Sequence, residues 1–72
     1  MNESIVFGNG IEYLIMDTKE IDGNFYTLFV NVNDDTDICF KKNIVRDGEE
    51  YYSWLEDEEE IKKVLLVFSE IN

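Results

Sequence analysis

The chain has 72 residues, of which 17 are Asp or Glu and 6 are Lys or Arg, so its formal net charge is −11, and it contains no histidine. A surface so rich in carboxylate is a poor match for nucleic acid or an anionic membrane, because both are bound through cations. Apolar residues at 44% and aromatics at 14% supply one thin core and argue against disorder, so residues 1–72 are expected to form a single domain.

Met1 to Glu3 are expected to fray. Ser4-Ile5-Val6-Phe7 reads as a short apolar strand closed by Gly8-Asn9-Gly10. Asn-Gly signals a hairpin, because a type I′ turn needs φ > 0 at both central residues. Ile11 to Ile21 reads as the second strand, with Ile11, Tyr13 and Ile15 on one parity and Leu14 and Met16 on the other. Asp22-Gly23 predicts the next hairpin turn. Asn24 to Asn33 is the most apolar strand, Phe25, Thr27 and Phe29 alternating with Tyr26, Leu28, Val30 and Val32. Asn33 to Asp37 reads as an acidic loop, followed by a strand from Ile38 to Val45, a turn at Arg46-Asp47-Gly48 and a last strand from Glu50 to Leu55. Proline is absent, so every turn rests on Gly, Asn and Asp.

The remaining segment, Glu56 to Ile71, reads as the chain's only helix. Asp57 is the expected N-cap, and Glu60 completes a capping-box pattern. Glu58 and Glu59 set negative charge at the positive end of the macrodipole and stand four residues before Lys62 and Lys63. Ile61, Val64, Leu65, Phe68 and Ile71 form one apolar stripe flanked by Leu66 and Val67, which predicts a wide buried face.

Short connections make consecutive strands antiparallel neighbours. The expected fold is α+β: an antiparallel meander of about five strands with one C-terminal amphipathic helix packed on one face. The second and third strands are apolar on both parities, yet a lone helix covers one face. Either the sheet curls on itself, or a far face carrying some of Tyr13, Phe25, Tyr26 and Phe29 meets another molecule.

Reactive chemistry is hard to build from these residues. Without histidine there is no imidazole base and no triad. Gly8-Asn9-Gly10 lacks the Lys and following helix of a phosphate loop. Asn33, Asp35 and Asp37 are spaced like the opening of a calcium loop, but Ile38 stands where that loop needs Gly and Ile44 where it needs Glu. The single Cys39 forms no internal disulfide or Cys-based zinc site and reads as a small strand hydrophobe. No catalytic residue, cofactor or metal ligand is expected, and the chain is not expected to be an enzyme. It shows no basic-then-apolar leader and no apolar run near the ~20 residues that span a bilayer, so a soluble, cytoplasmic protein is expected.

Binding remains. Asp34, Asp35, Asp37, Asp47, Glu49, Glu50, Glu58 and Glu59 fall in expected turns and at the helix start. With the aromatic residues Tyr13, Phe25 and Tyr26 they form the candidate partner-binding set, suited to a protein with a basic surface. An aromatic sheet can also stack RNA bases, but the −11 charge repels the phosphates that come with them. One alternative is a phage-type inhibitor whose carboxylates imitate the phosphate rows of nucleic acid, which requires them on one contiguous face. Another is a structural homodimer built on the far sheet face.

The order of features is itself informative. Gly8-Asn9-Gly10, Asp17-Thr18, Asp22-Gly23 before Phe25-Tyr26-Thr27-Leu28, an acidic stretch, Asp47-Gly48-Glu49-Glu50, and Leu55 to Ile61 with Val64 and Phe68 follow one another in that order. The chain resembles the YrzB-like family of small acidic bacterial proteins of unknown function over nearly its whole length. The resemblance implies a cytoplasmic bacterial or phage origin and carries over no activity, cofactor or site residue. Ile38 to Arg46, with Cys39, Lys41 and Lys42, departs from the pattern.

Overall fold

The computed structural model describes residues 3–70, leaving Met1, Asn2, Ile71 and Asn72 outside the described residues. Strands β1 (Ser4–Val6), β2 (Glu12–Ile21), β3 (Asn24–Asn31), β4 (Asp34–Arg46) and β5 (Glu49–Ser53) pair in chain order as one antiparallel sheet. Helix α1 (Glu58–Ser69) follows. This is the expected α+β meander.

Two Asp-Gly pairs set its hairpins. Asp22 and Gly23 have φ of 52° and 85°, and Asp47 and Gly48 have 53° and 80°. Both residues of each pair are left-handed, the type I′ geometry whose twist matches its flanking strands. Asn9-Gly10 is different, because only Gly10 has positive φ, 80°. Gly10 N–H donates to the Phe7 carbonyl at 2.9 Å and Ile11 N–H to Asn9 Oδ1 at 3.0 Å, so the first hairpin closes through a longer loop. The expected acidic loop is also corrected. The chain reverses at Val32-Asn33, β4 already begins at Asp34, and the extra residues are absorbed by a register shift next to Val30.

The helix covers one end of one sheet face. Val64 and Phe68 are buried with Tyr26, and Ile21, Leu28, Phe40 and Leu55 pack around them. Asp57 caps the helix as expected, its side chain accepting from Glu59 N–H at 3.0 Å. Glu60 does not close a capping box. Its carboxylate turns to the sheet, accepting from the Tyr26 hydroxyl at 2.5 Å and lying 3.0 Å from Lys42 Nζ. Lys62 lies 4.0 Å from Glu59, and Lys63 reaches across to Asp22 at 3.0 Å. The buried stripe is narrower than expected, because Leu65 and Leu66 are 49% and 61% exposed.

The other face is buried by curling. Phe29 is wholly buried, in edge-to-face contact with Phe7 after β1 and Tyr52 of β5, at 5.1 and 5.0 Å between ring centroids. The two sheet margins thus meet over its centre. The Lys41 ammonium closes the cluster between the Trp54 and Phe7 rings, 3.2 and 4.7 Å from their centroids, where the π faces offset part of its lost hydration. The far-face exposure expected of Tyr13 and Phe29, and the surface position of Tyr26, are therefore corrected: all three are core residues.

Phe68→Ala should cost about 3–5 kcal/mol, comparable to the roughly 3–5 kcal/mol that a core of this size supplies. Leu66→Ser should change stability by no more than about 0.5 kcal/mol. Urea unfolding followed by circular dichroism measures both; a folded Phe68→Ala variant would contradict the helix placement.

Candidate functional site

The candidate binding residues separate into buried and exposed groups. Tyr13 donates to Asp37 Oδ2 at 2.8 Å, and the Asn31 amide donates to the same oxygen at 3.2 Å. Asp37 is thus tied to the sheet and only partly open to solvent. Tyr26 is committed to Glu60 beneath the helix. Of the three aromatic candidates Phe25 alone is open, at 50% exposure.

The acidic candidates occupy two ends of the sheet. Asp34 and Asp35 lie where β4 begins, whereas Asp47, Glu49 and Glu50 lie at the hairpin where it ends. Glu58 and Glu59 open the helix near the β2–β3 hairpin, at that second end. Asp34 accepts from both Thr36 N–H and Thr36 Oγ1, at 3.0 and 2.6 Å, which holds its carboxyl below the usual range. Glu49 accepts from the Tyr51 hydroxyl at 2.5 Å. Lys19, Lys42, Lys62 and Lys63 intervene as ion pairs with Asp17, Glu60, Glu59 and Asp22. Among the described residues no group of three acidic or thiol side chains is close enough to hold a metal ion.

The surface that combines exposed apolar groups with acid lies where the helix stops short. Leu14, Val30 and Ile38 stand side by side on three strands, on the face that carries Leu28 and Phe40 farther along. Helix α1 covers the latter and leaves the former. A bulge inserts Met16 between Ile15 and Asp17, and the turn adds Val32. Leu14, Met16, Val30 and Val32 then line a shallow groove whose rim holds Asp34 and Asp35, with no lysine or arginine among its lining residues. Met16, Val32 and Ile38 are 54%, 38% and 49% exposed. The bulge also reverses parity, so that Ile15 faces the curled side while Asp17, Lys19 and Ile21 face the helix. This aliphatic groove was not among the candidates read from sequence. In the sequence Leu14 shares a parity with Met16 and Val30 with Val32, but nothing there says that the helix leaves this end of the face uncovered.

The lone Cys39 is half-buried beside Phe29, and burial raises its pKa, so it remains a thiol. No helix among the described residues is long and apolar enough to cross a membrane.

The sequence profile of a family described as proteins of unknown function, DUF1292, matches residues 7–72. A relative from Heliobacterium modesticaldum named UPF0473 protein is 33% identical over 67 residues, spanning 90% of this chain and 75% of that protein. No solved structure matches the chain.

The Tyr26–Glu60–Lys42 contact predicts a pH dependence with two limbs. The Tyr26 hydrogen bond, with Lys42 helping and burial opposing, lowers the Glu60 pKa. Its stabilisation is whole above the unfolded carboxylate value of about 4.3 and is lost as pH falls through the lower folded value. Burial, then the hydrogen bond to Glu60, pushes Tyr26 up to about 12. That contribution is whole below about 10 and is lost as pH rises through the folded value. The stability difference between wild type and Tyr26→Phe, from urea midpoints across pH, should be largest between about pH 5 and 10 and shrink on both sides. A difference independent of pH would contradict the coupling.

Proposed function

The chain belongs to the DUF1292 family of proteins of unknown function, and we propose that it is a non-enzymatic, cytoplasmic binding module that docks a partner protein on the acid-rimmed aliphatic groove. Its finer grouping with the YrzB-like proteins belongs to the same proposal.

One observation carries the reading. Met16 of β2 and Val32 of the β3–β4 turn stay exposed beside the half-buried Leu14 and Val30, on a face that the chain's own helix partly covers, and Asp34 and Asp35 edge them with no lysine or arginine in the lining. Burial of the apolar floor supplies affinity, at roughly 25 cal/mol per Å² before the costs of association. The carboxylates select an apolar ridge flanked by lysine or arginine and speed the encounter. Met16, long and flexible, adapts to the contour of such a ridge. Phosphate mimicry finds less support, since Asp34 and Asp35 stand at the opposite end of β4 from Asp47, Glu49 and Glu50.

Capture from a bacterial lysate by the immobilised full chain, washed at rising salt, tests the proposal. A basic partner should stay bound through moderate salt, be lost on Val32→Asp, and be unaffected by Leu66→Asp on the exposed helix surface. Capture indifferent to Val32→Asp would overturn it. So would a set of nucleic-acid-binding proteins all released by moderate salt, which mimicry predicts, or a homodimer in sedimentation that Val32→Asp dissociates.

A further inference from the structure

A second concavity lies on the curled face, away from the groove. Its floor is a hydrogen-bonded relay across three strands. Thr27, wholly buried, donates from Oγ1 to Asn43 Oδ1 at 2.7 Å, so the 3.0 Å contact between the Thr18 and Thr27 hydroxyls has Thr18 as donor. Directions along the relay are thereby fixed. Lone pairs on Thr18 Oγ1 and the Asn43 amide hydrogens are left over for something above the floor.

The walls and rim are of another kind. Phe25 and Tyr52 flank Asn43 in the strand register, and Ile15 and Val45 complete the apolar lining. Glu50 and Glu3, brought together by the curl, stand at the mouth. Burial raises the Tyr52 pKa, and the charges of Glu50 and Glu3 raise it further, so both carboxylates act on the same phenol. Glu20 lies beside Phe25 on this face as well. No lysine or arginine lines the cleft; Lys41 on the same face is held between Phe7 and Trp54.

We propose that this cleft is a receptor for one basic side chain, arginine before lysine, supplied by a protein or peptide. The aliphatic stem lies against the apolar part of the lining. The cationic head stacks on the Phe25 or Tyr52 ring, where the π face attracts it, and meets the Glu50 and Glu3 carboxylates. A guanidinium is planar and weakly hydrated and donates in a fork, so it uses ring and carboxylate together, whereas an ammonium is a strongly hydrated point charge. Thr18 accepts a remaining N–H. The site is independent of the groove proposed above, which lies on the opposite sheet face, and stands or falls separately.

The test is a titration of the isotopically labelled full chain with acetyl-Gly-Arg-Gly-amide, followed by amide chemical shifts. Matched peptides carry lysine or citrulline, the latter keeping the shape of arginine without its charge. Saturable shifts at Thr18, Asn43, Val45 and Tyr52 are expected, with a dissociation constant on the order of 1 mM, as befits a single side chain. Lysine should bind several-fold more weakly and citrulline about tenfold more weakly or worse. Glu50→Gln should weaken the arginine peptide about threefold, while Val32→Asp should leave it unchanged. Equal binding of arginine and citrulline would overturn the proposal. So would shifts that never saturate and spread to Glu58 and Glu59, which mark general attraction to an acidic protein.

Discussion

One helix cannot roof both faces of a five-stranded sheet whose inner strands are apolar on both sides. That constraint shapes the molecule. Helix α1 buries Tyr26 with Val64 and Phe68 on one face, and the other face has only the sheet itself to cover it. The sheet therefore curls until Phe7 from one margin and Tyr52 from the other meet Phe29. Bulges and strong twist are the usual means of such curvature, and here the bulge at Met16 and the register shift next to Val30 fall on either side of Phe29 and Val30 along β3.

Apolar burial is non-directional, so polar contacts fix how the pieces sit. Glu60 joins helix to sheet through Tyr26 and Lys42, while Lys63 to Asp22 ties the helix to a hairpin. The Thr18–Thr27–Asn43 relay crosses three strands and leaves no partnerless group at its buried centre. Lys41 is the odd member, a nearly buried cation held by two rings. Its pKa falls because burial disfavours the charged form.

What the sequence made legible was local. Asp22-Gly23 and Asp47-Gly48 announce their turns because few residues accept two successive left-handed conformations. Asp57 announces the helix start because its carboxylate meets a free backbone N–H. The errors came from distance. Tyr13 and Tyr26 were expected to be available to a partner, and alternation alone cannot say which stretch of a face lies under the helix or inside a curl. Glu60 fits a capping box in one dimension, but a tyrosine 34 residues earlier competes for it in three. The bulge at Met16 exchanges the faces of everything after it, and nothing in Ile15-Met16-Asp17 declares this. The aliphatic groove and the cleft are consequences of that curl and that bulge, so neither was visible as a motif.

A sheet that buries its own far face leaves two concavities open, an aliphatic groove beyond the reach of the helix and an acidic cleft on the curled face. Isotope-filtered nuclear Overhauser contacts in a sample mixing labelled and unlabelled chains test that self-burial most directly. The account predicts that the Phe29 ring contacts Phe7 and Tyr52 of its own chain only. Contacts from Phe29 to the rings of a differently labelled chain would show that a second molecule, and not curvature, buries this face.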